Sequence, residues 1–245
     1  MTHLPPCCDS RVEEHDLAQA LATCPLAYKG LIADCDGVLI DSEPLHADTW
    51  VEYLNNHGID FPAEEFNRFI GVTSPQMMRV LRAENRVPEA LDVRKLMDER
   101  RYYFYRRLET ELIEIEGATT FLRALSNRVP LALATSNLRE TYDHILRIAG
   151  WNGLFSVLVG ADDVTHPKPA PDIYQETVRR LGLDPAECLV FEDSLPGLEA
   201  ALAAGLEVVG VATSLPAETL LEHGARTTIR NFTDHEALLG ALAKR

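Results

Sequence analysis

Five short runs of consecutive apolar residues punctuate the chain: Gly30–Asp34, Pro130–Ala134, Ser156–Gly160, Glu187–Phe191 and Glu207–Ala212. They are rich in Leu, Val and Ala and show little polar alternation. Strands look this way when both faces are covered, as in parallel sheets. Between the runs the period changes. Leu138, Tyr142, Ile145 and Leu146 recur at helical spacing, as do Ile173, Thr177, Val178 and Leu181. Alternating strands and helices predict an α/β fold with a doubly wound parallel sheet.

The alternation breaks once. From about Ala47 to Ile113 the apolar positions follow helical spacing and no strand pattern emerges. Leu45, Trp50, Tyr53 and Leu54 mark one helix, and "LDVRKLMDERRYYFYRRLE" marks a long one. Residues 47–113 therefore read as an all-α insertion after the first strand, splitting an α/β core of residues 29–46 and 114–245. Residues 1–28 form an N-terminal extension with a short helix around Val12–Ala22. The Arg- and Tyr-rich run Arg100–Arg107 reads as a solvated helix face with aromatic packing beneath it.

Composition narrows the partners. Of 245 residues, 46% are hydrophobic, enough for a sizeable core. Lys and Arg total 23 against 38 for Asp and Glu, a formal net charge of −15. Such a field repels nucleic acid and anionic membrane surfaces, although a small anionic substrate responds to the local site. No apolar stretch approaches the ~20 residues of a membrane span, and the first residues lack an apolar signal core. Cys7, Cys8, Cys24, Cys35 and Cys188 are odd in number and form no paired C-x-x-C motifs. A reducing, cytoplasmic compartment is the expectation, with Cys7-Cys8 an incidental feature of the tail. No heptad pattern is present, so a monomer is expected.

Ligands of open α/β sheets sit outside the carboxyl ends of the strands, so the residues that follow each strand carry the chemistry. Asp34 and Asp36 follow the first, Thr135, Ser136 and Asn137 the second, Lys168 the third, and Glu192, Asp193 and Ser194 the fourth. Taken singly, each has an ordinary explanation. D-x-D often ends a strand in a turn, Thr-Ser-Asn caps helices, and loop lysines and acidic pairs are common on surfaces. Their convergence on one sheet edge is less ordinary and suits phosphoryl transfer.

In that chemistry Asp34, Glu192 and Asp193 are oxygen ligands for Mg²⁺, and the cation and Lys168 neutralise the phosphate. Thr135 and neighbouring backbone N–H groups, those of Ser136 and Asn137, hold phosphate oxygens. Asp34 is the nucleophile, giving an aspartyl-phosphate, while Asp36 protonates the leaving oxygen and later deprotonates water. Close carboxylates thereby acquire a purpose: one makes the covalent bond, the other moves the proton.

The ordered motifs "DCDGVLIDSE", "ATSN", "HPKPAPD" and "FEDSLPG" resemble the haloacid dehalogenase superfamily of phosphotransferases, over about Lys29 to Ala243. The resemblance implies a Rossmann-like core with a helical cap inserted after the first motif. It also implies Mg²⁺ ligation by Asp34, the backbone carbonyl of Asp36, and Asp193, with Glu192 binding directly or through water. Within the superfamily, "DSEPLH" and "KPAPDIY" resemble the branch of β-phosphoglucomutase and small sugar-phosphate phosphatases.

His46 and Trp50 fall where that branch has cap-hinge and substrate-facing residues, and packing inside the cap accounts equally for Trp50. "GVTSPQ", with Gly71, Thr73 and Ser74, resembles the cap loop that meets the substrate. The mutase carries an Arg where this chain has Ser74 and a Lys where it has Ile70, which points to a phosphatase of small phosphorylated metabolites. A mutase returning phosphate to a sugar hydroxyl is the alternative. A dehalogenase would need neither Asp36 nor Glu192-Asp193, and a binding module would leave the set without purpose.

Overall fold

The computed structural model describes residues 10–69 and 74–243. Ile70, Gly71 and Thr73, together with Cys7 and Cys8, lie outside the described residues. The chain divides into two compact units, Met1–Asp41 with Glu114–Arg245, and Ser42–Ile113.

In chain order the elements are α1 (Ser10–Thr23), β1 (Gly30–Ala33), α2 (Glu43–Asn56), α3 (Ser74–Ala83), α4 (Val93–Glu111), α5 (Ala118–Leu125), β2 (Leu131–Ala134), α6 (Arg139–Ile148), β3 (Val157–Val159), α7 (Asp172–Leu181), β4 (Cys188–Glu192), α8 (Leu195–Ala203), β5 (Glu207–Val211), α9 (Ala217–Glu222), β6 (Thr227–Ile229) and α10 (His235–Ala243). The five expected strands are present. A sixth, β6, was not expected: Thr227 and Thr228 make it too polar and too short to stand out.

All six strands are parallel, in the order β3-β2-β1-β4-β5-β6. The order reverses direction between β1 and β4, the crevice where doubly wound sheets hold ligands. Side chains alternate across this sheet. Ile32, Ala132 and Val190 join Ile173, Tyr174, Val178 and Leu198 in one core layer. On the other face Phe191 meets Phe121 edge-on at 5.1 Å between ring centroids, and Phe121 and Phe232 lie 4.6 Å apart. Burying each such side chain stabilises the fold by roughly 1.5–3 kcal/mol. Helix α1 of the N-terminal extension packs on α5 and α10. The Arg128 guanidinium ties it down by donating to the carbonyls of Leu21 and Cys24, the latter at 2.7 Å.

The chain leaves the core after Asp41 and returns at Glu114. Ile40 bridges Glu114 in antiparallel fashion, and the Ile115 N–H donates to the Leu39 carbonyl at 2.9 Å. The two crossing points are thus stitched together, which lets a large segment be inserted without disturbing the sheet.

The helical unit has its own core of Trp50, Leu54, Phe61, Met77, Met78, Leu81 and Leu96. Asp92 caps α4, accepting from the N–H groups of Arg94 and Lys95. Among the described residues no strand occurs there, and none of the chain's described helices is long and apolar enough to cross a membrane. Helix α2 begins at Glu43, so residues 42–46 group with the helical unit.

One residue of the Arg-rich run departs from the solvated face expected of it: Arg100 is buried, 5% exposed. Its guanidinium lies over the Trp50 ring at 4.7 Å and the Phe104 ring at 5.1 Å. It also donates to Thr49 Oγ1 at 2.5 Å and to the His46 carbonyl at 3.1 Å, and lies 2.9 Å from His46 Nδ1. The ring of His46 stacks on Phe104 at 4.1 Å. Trp50 is buried in this same layer.

Candidate active site

Strand register sets the level of the site. Ala33 pairs with Leu133 on one side and Phe191 on the other, so Asp34 emerges level with Ala134 and Glu192. Asp34, Glu192 and Asp193 are buried, and each offers an oxygen within 4.8 Å of the others'. Lys168, from the loop after β3, places Nζ 2.6 Å from Glu192 Oε1 and 3.2 Å from Asp34 Oδ1. Four of the expected residues thus meet at the crevice between β1 and β4.

Asp36 stands two residues beyond Asp34, in a turn where Gly37 has φ +71° and its N–H donates to the Ile40 carbonyl at 2.8 Å. A Cβ on Gly37 would overlap the Asp193 carboxylate, so both backbone and space require glycine there. Asn137 Nδ2 donates to Asp36 Oδ2 at 2.5 Å, linking the segments after β1 and β2.

Thr135 does not cap a helix, contrary to the expectation for the Thr-Ser-Asn run. Helix α6 starts at Arg139 with Leu138 as its N-cap residue. The run instead turns on itself: Thr135 Oγ1 accepts the Asn137 N–H at 3.1 Å. Thr135 is fully buried and Ser136 is exposed.

His46 and Ser74, which opens α3, belong to the helical unit. Gly71 and Thr73 lie outside the described residues.

The charges do not balance. Three buried carboxylates face one lysine. Burial, together with the Glu192 and Asp36 charges, pushes the Asp34 carboxyl up to about 7 against the pull of Lys168. Burial, then Glu192 and Asp34, raise Asp193 well above the carboxylate range. Burial opposes the charge on Lys168, but Asp34 and Glu192 outweigh it and hold the ammonium well above the usual lysine value. Asp34 Oδ1 is buried and accepts no hydrogen bond; Lys168 is near it without being aligned to donate. A surplus of hard oxygen donors with an orphaned lone pair fits a divalent cation.

Sequence reasoning missed two residues that touch this cluster. The Ser214 hydroxyl, from the turn after β5, donates to Asp193 Oδ2, and the Tyr174 hydroxyl donates to Glu192 Oε1 at 3.0 Å. The hydroxyl pair Thr213-Ser214 that follows the fifth strand was a signal for the first. Tyr174 carried none, since an aromatic on an apolar helix stripe reads as core.

A buried acidic cluster and a lysine at the carboxyl edge of a parallel sheet are the equipment of a phosphoric monoester hydrolase. A family model described as hydrolase, haloacid dehalogenase-like hydrolase, matches residues 28–205, and the chain belongs to this family. It is 31% identical to a fructose-1-phosphate phosphatase of Escherichia coli K12, over 75% of this chain and 96% of that one. It is 34% identical, over 83% of its length, to a bifunctional riboflavin kinase/FMN phosphatase of Arabidopsis thaliana, and spans about half (53%) of that longer relative. The crystal structure of CbbY from Rhodobacter sphaeroides in complex with phosphate superposes with a TM-score of 0.78 at 26% identity, covering 87% of this chain and 99% of that one.

Proposed function

We propose that the enzyme hydrolyses small phosphomonoesters, sugar phosphates in particular, with Mg²⁺ and through an aspartyl-phosphate. The observation that carries this reading is the cluster of Asp34, Glu192 and Asp193 around a single lysine, with Asp34 Oδ1 accepting no hydrogen bond. The sugar-phosphate class is supported by the fructose-1-phosphate phosphatase relative.

Asp34, Asp193 and the backbone carbonyl of Asp36 would hold the cation, which supplies positive charge to draw a phosphate dianion into an acidic pocket. Asp34 attacks phosphorus and the bond to the leaving oxygen breaks. The carboxylic acid of Asp36 gives that oxygen its proton. Lys168 and Thr135 hold the phosphoryl oxygens, and Ser136 and Asn137 border them. Water then attacks the aspartyl-phosphate and Asp36 takes its proton, restoring the Asp34 carboxylate and releasing inorganic phosphate.

His46, Gly71, Thr73 and Ser74 would select the substrate. The free thiols of Cys24, Cys35 and Cys188 suit a reducing cytoplasmic setting, and the enzyme would act as a monomer.

The test is phosphate release from a panel of phosphorylated sugars and nucleotides, with Mg²⁺ and with EDTA. Turnover that persists in EDTA overturns the metal-dependent reading. Glucose 6-phosphate formed from β-glucose 1-phosphate and a trace of bisphosphate would make the enzyme a mutase instead.

A further inference from the structure

Proximity alone makes Asp34, Glu192 and Asp193 equal candidates to hold a cation. Their hydrogen bonds separate them. Glu192 Oε1 accepts from Lys168 Nζ at 2.6 Å and from the Tyr174 hydroxyl at 3.0 Å. Its Oε2 accepts from the N–H groups of Asp193 at 2.9 Å and Ser194 at 3.0 Å, and from Ser194 Oγ at 3.0 Å. A carboxylate has about four lone-pair sites, and Glu192 already faces five donors. Asp34 Oδ1 accepts none.

The backbone is built around this arrangement. The Glu192 carboxylate lies against the first turn of α8, where a Cβ on Gly197 would overlap it. The Ser194 hydroxyl both donates to Glu192 and accepts the Gly197 N–H at 3.2 Å. Glu192 is 1% exposed.

Tyr174 is the least expected partner. It sits on α7, is fully buried, and presents its ring to Lys168 Nζ at 5.0 Å from the centroid. Its hydroxyl reaches the same oxygen that Lys168 binds. A lysine carries four rotatable bonds and is a poorly defined point charge unless fixed. Here Glu192 and the Tyr174 ring fix it beside Asp34.

We propose that Glu192 is not a cation ligand but the anchor that positions Lys168, and that Tyr174 is a second positioning residue, whose hydroxyl and ring hold that anchor and that lysine in place. This rests on the phosphatase reading, and the test separates the two. Mn²⁺ binding to the full chain without substrate, read from the free Mn²⁺ signal in electron paramagnetic resonance, needs no turnover. Glu192→Gln should weaken Mn²⁺ binding by less than about tenfold, the effect of one lost neighbouring charge, whereas Asp193→Asn should weaken it more than about a hundredfold. Equal losses in the two variants would make Glu192 a ligand and overturn the assignment.

Tyr174→Phe keeps the ring and every charge, and carries the test if Glu192→Gln does not fold. It should leave Mn²⁺ affinity within about twofold, lower kcat at least tenfold, and change KM little. An unchanged kcat would reduce Tyr174 to a core residue, and weakened Mn²⁺ binding would place its effect on the metal. Absence of phosphatase activity in the wild type would sink the functional reading while the Mn²⁺ comparison still decided Glu192.

Discussion

Asp34→Asn should abolish turnover and, in metal-free protein, increase stability. The carboxyl is buried among like charges and its pKa is pushed from 3.8 to about 7. Holding the carboxyl near 7 disfavours its ionised form by ~2–4 kcal/mol, a cost that Asp34 shares with the carboxylates around it. The sign follows from proton binding. Below pH 3.8 folded and unfolded chains both carry the proton, and no penalty exists. Between 3.8 and about 7 the unfolded chain has lost the proton that the folded chain keeps, so stability falls as pH rises. Above about 7 the full penalty is present.

The asparagine escapes this dependence. Urea unfolding in EDTA should show the variant gaining nothing near pH 4 and ~2–4 kcal/mol at pH 8. Adding Mg²⁺ should narrow the difference at pH 8, because a cation held by Asp34 would stabilise wild type and would lack that ligand in the variant. An Asp34→Asn protein no more stable than wild type at pH 8 in EDTA would refute the reasoning, since the buried carboxylate would then be compensated within the chain.

Lys168→Ala should lower kcat/KM about 10²-fold or more, with Lys168→Arg a poor rescue because a planar fork does not fit between Glu192 and Asp34; steady-state kinetics decide. Gly197→Ala should cost ~2 kcal/mol or more in urea unfolding and reduce kcat as well, because its methyl overlaps the Glu192 carboxylate. Burial, reinforced by the Arg100 charge, holds the His46 imidazole well below 6.5. The unfolded chain therefore takes up that proton first, and this group's contribution to stability falls as pH drops below 6.5. Two-dimensional ¹H–¹⁵N spectra should show His46 neutral at pH 6, and Arg100→Gln should raise its titration midpoint.

The order of strands and helices, the inserted helical segment and the residues leaving each strand are legible in the sequence because they are local. A strand covered on both faces is written as a short apolar run, and a parallel sheet aligns the ends of its strands. Asp34, Lys168, Glu192 and Asp193 could therefore be assigned to one edge without coordinates.

What the tertiary structure decided are partnerships between groups far apart in the chain. Tyr174 and Glu192 are separated by 18 residues, Asp193 and Ser214 by 21, and Arg100 and Thr49 by 51. Nothing in the local period distinguishes a tyrosine that only fills a core from one whose hydroxyl also reaches the carboxylate paired with Lys168. Nor does it distinguish a solvated arginine from one sandwiched between Trp50 and Phe104. The Thr135 run shows the same limit: its composition suits a helix cap, but α6 starts beyond it, leaving the threonine hydroxyl to order its own turn. Periodicity reports which face of an element is buried. Which lone pairs are filled depends on neighbours that only the folded chain brings within hydrogen-bonding reach.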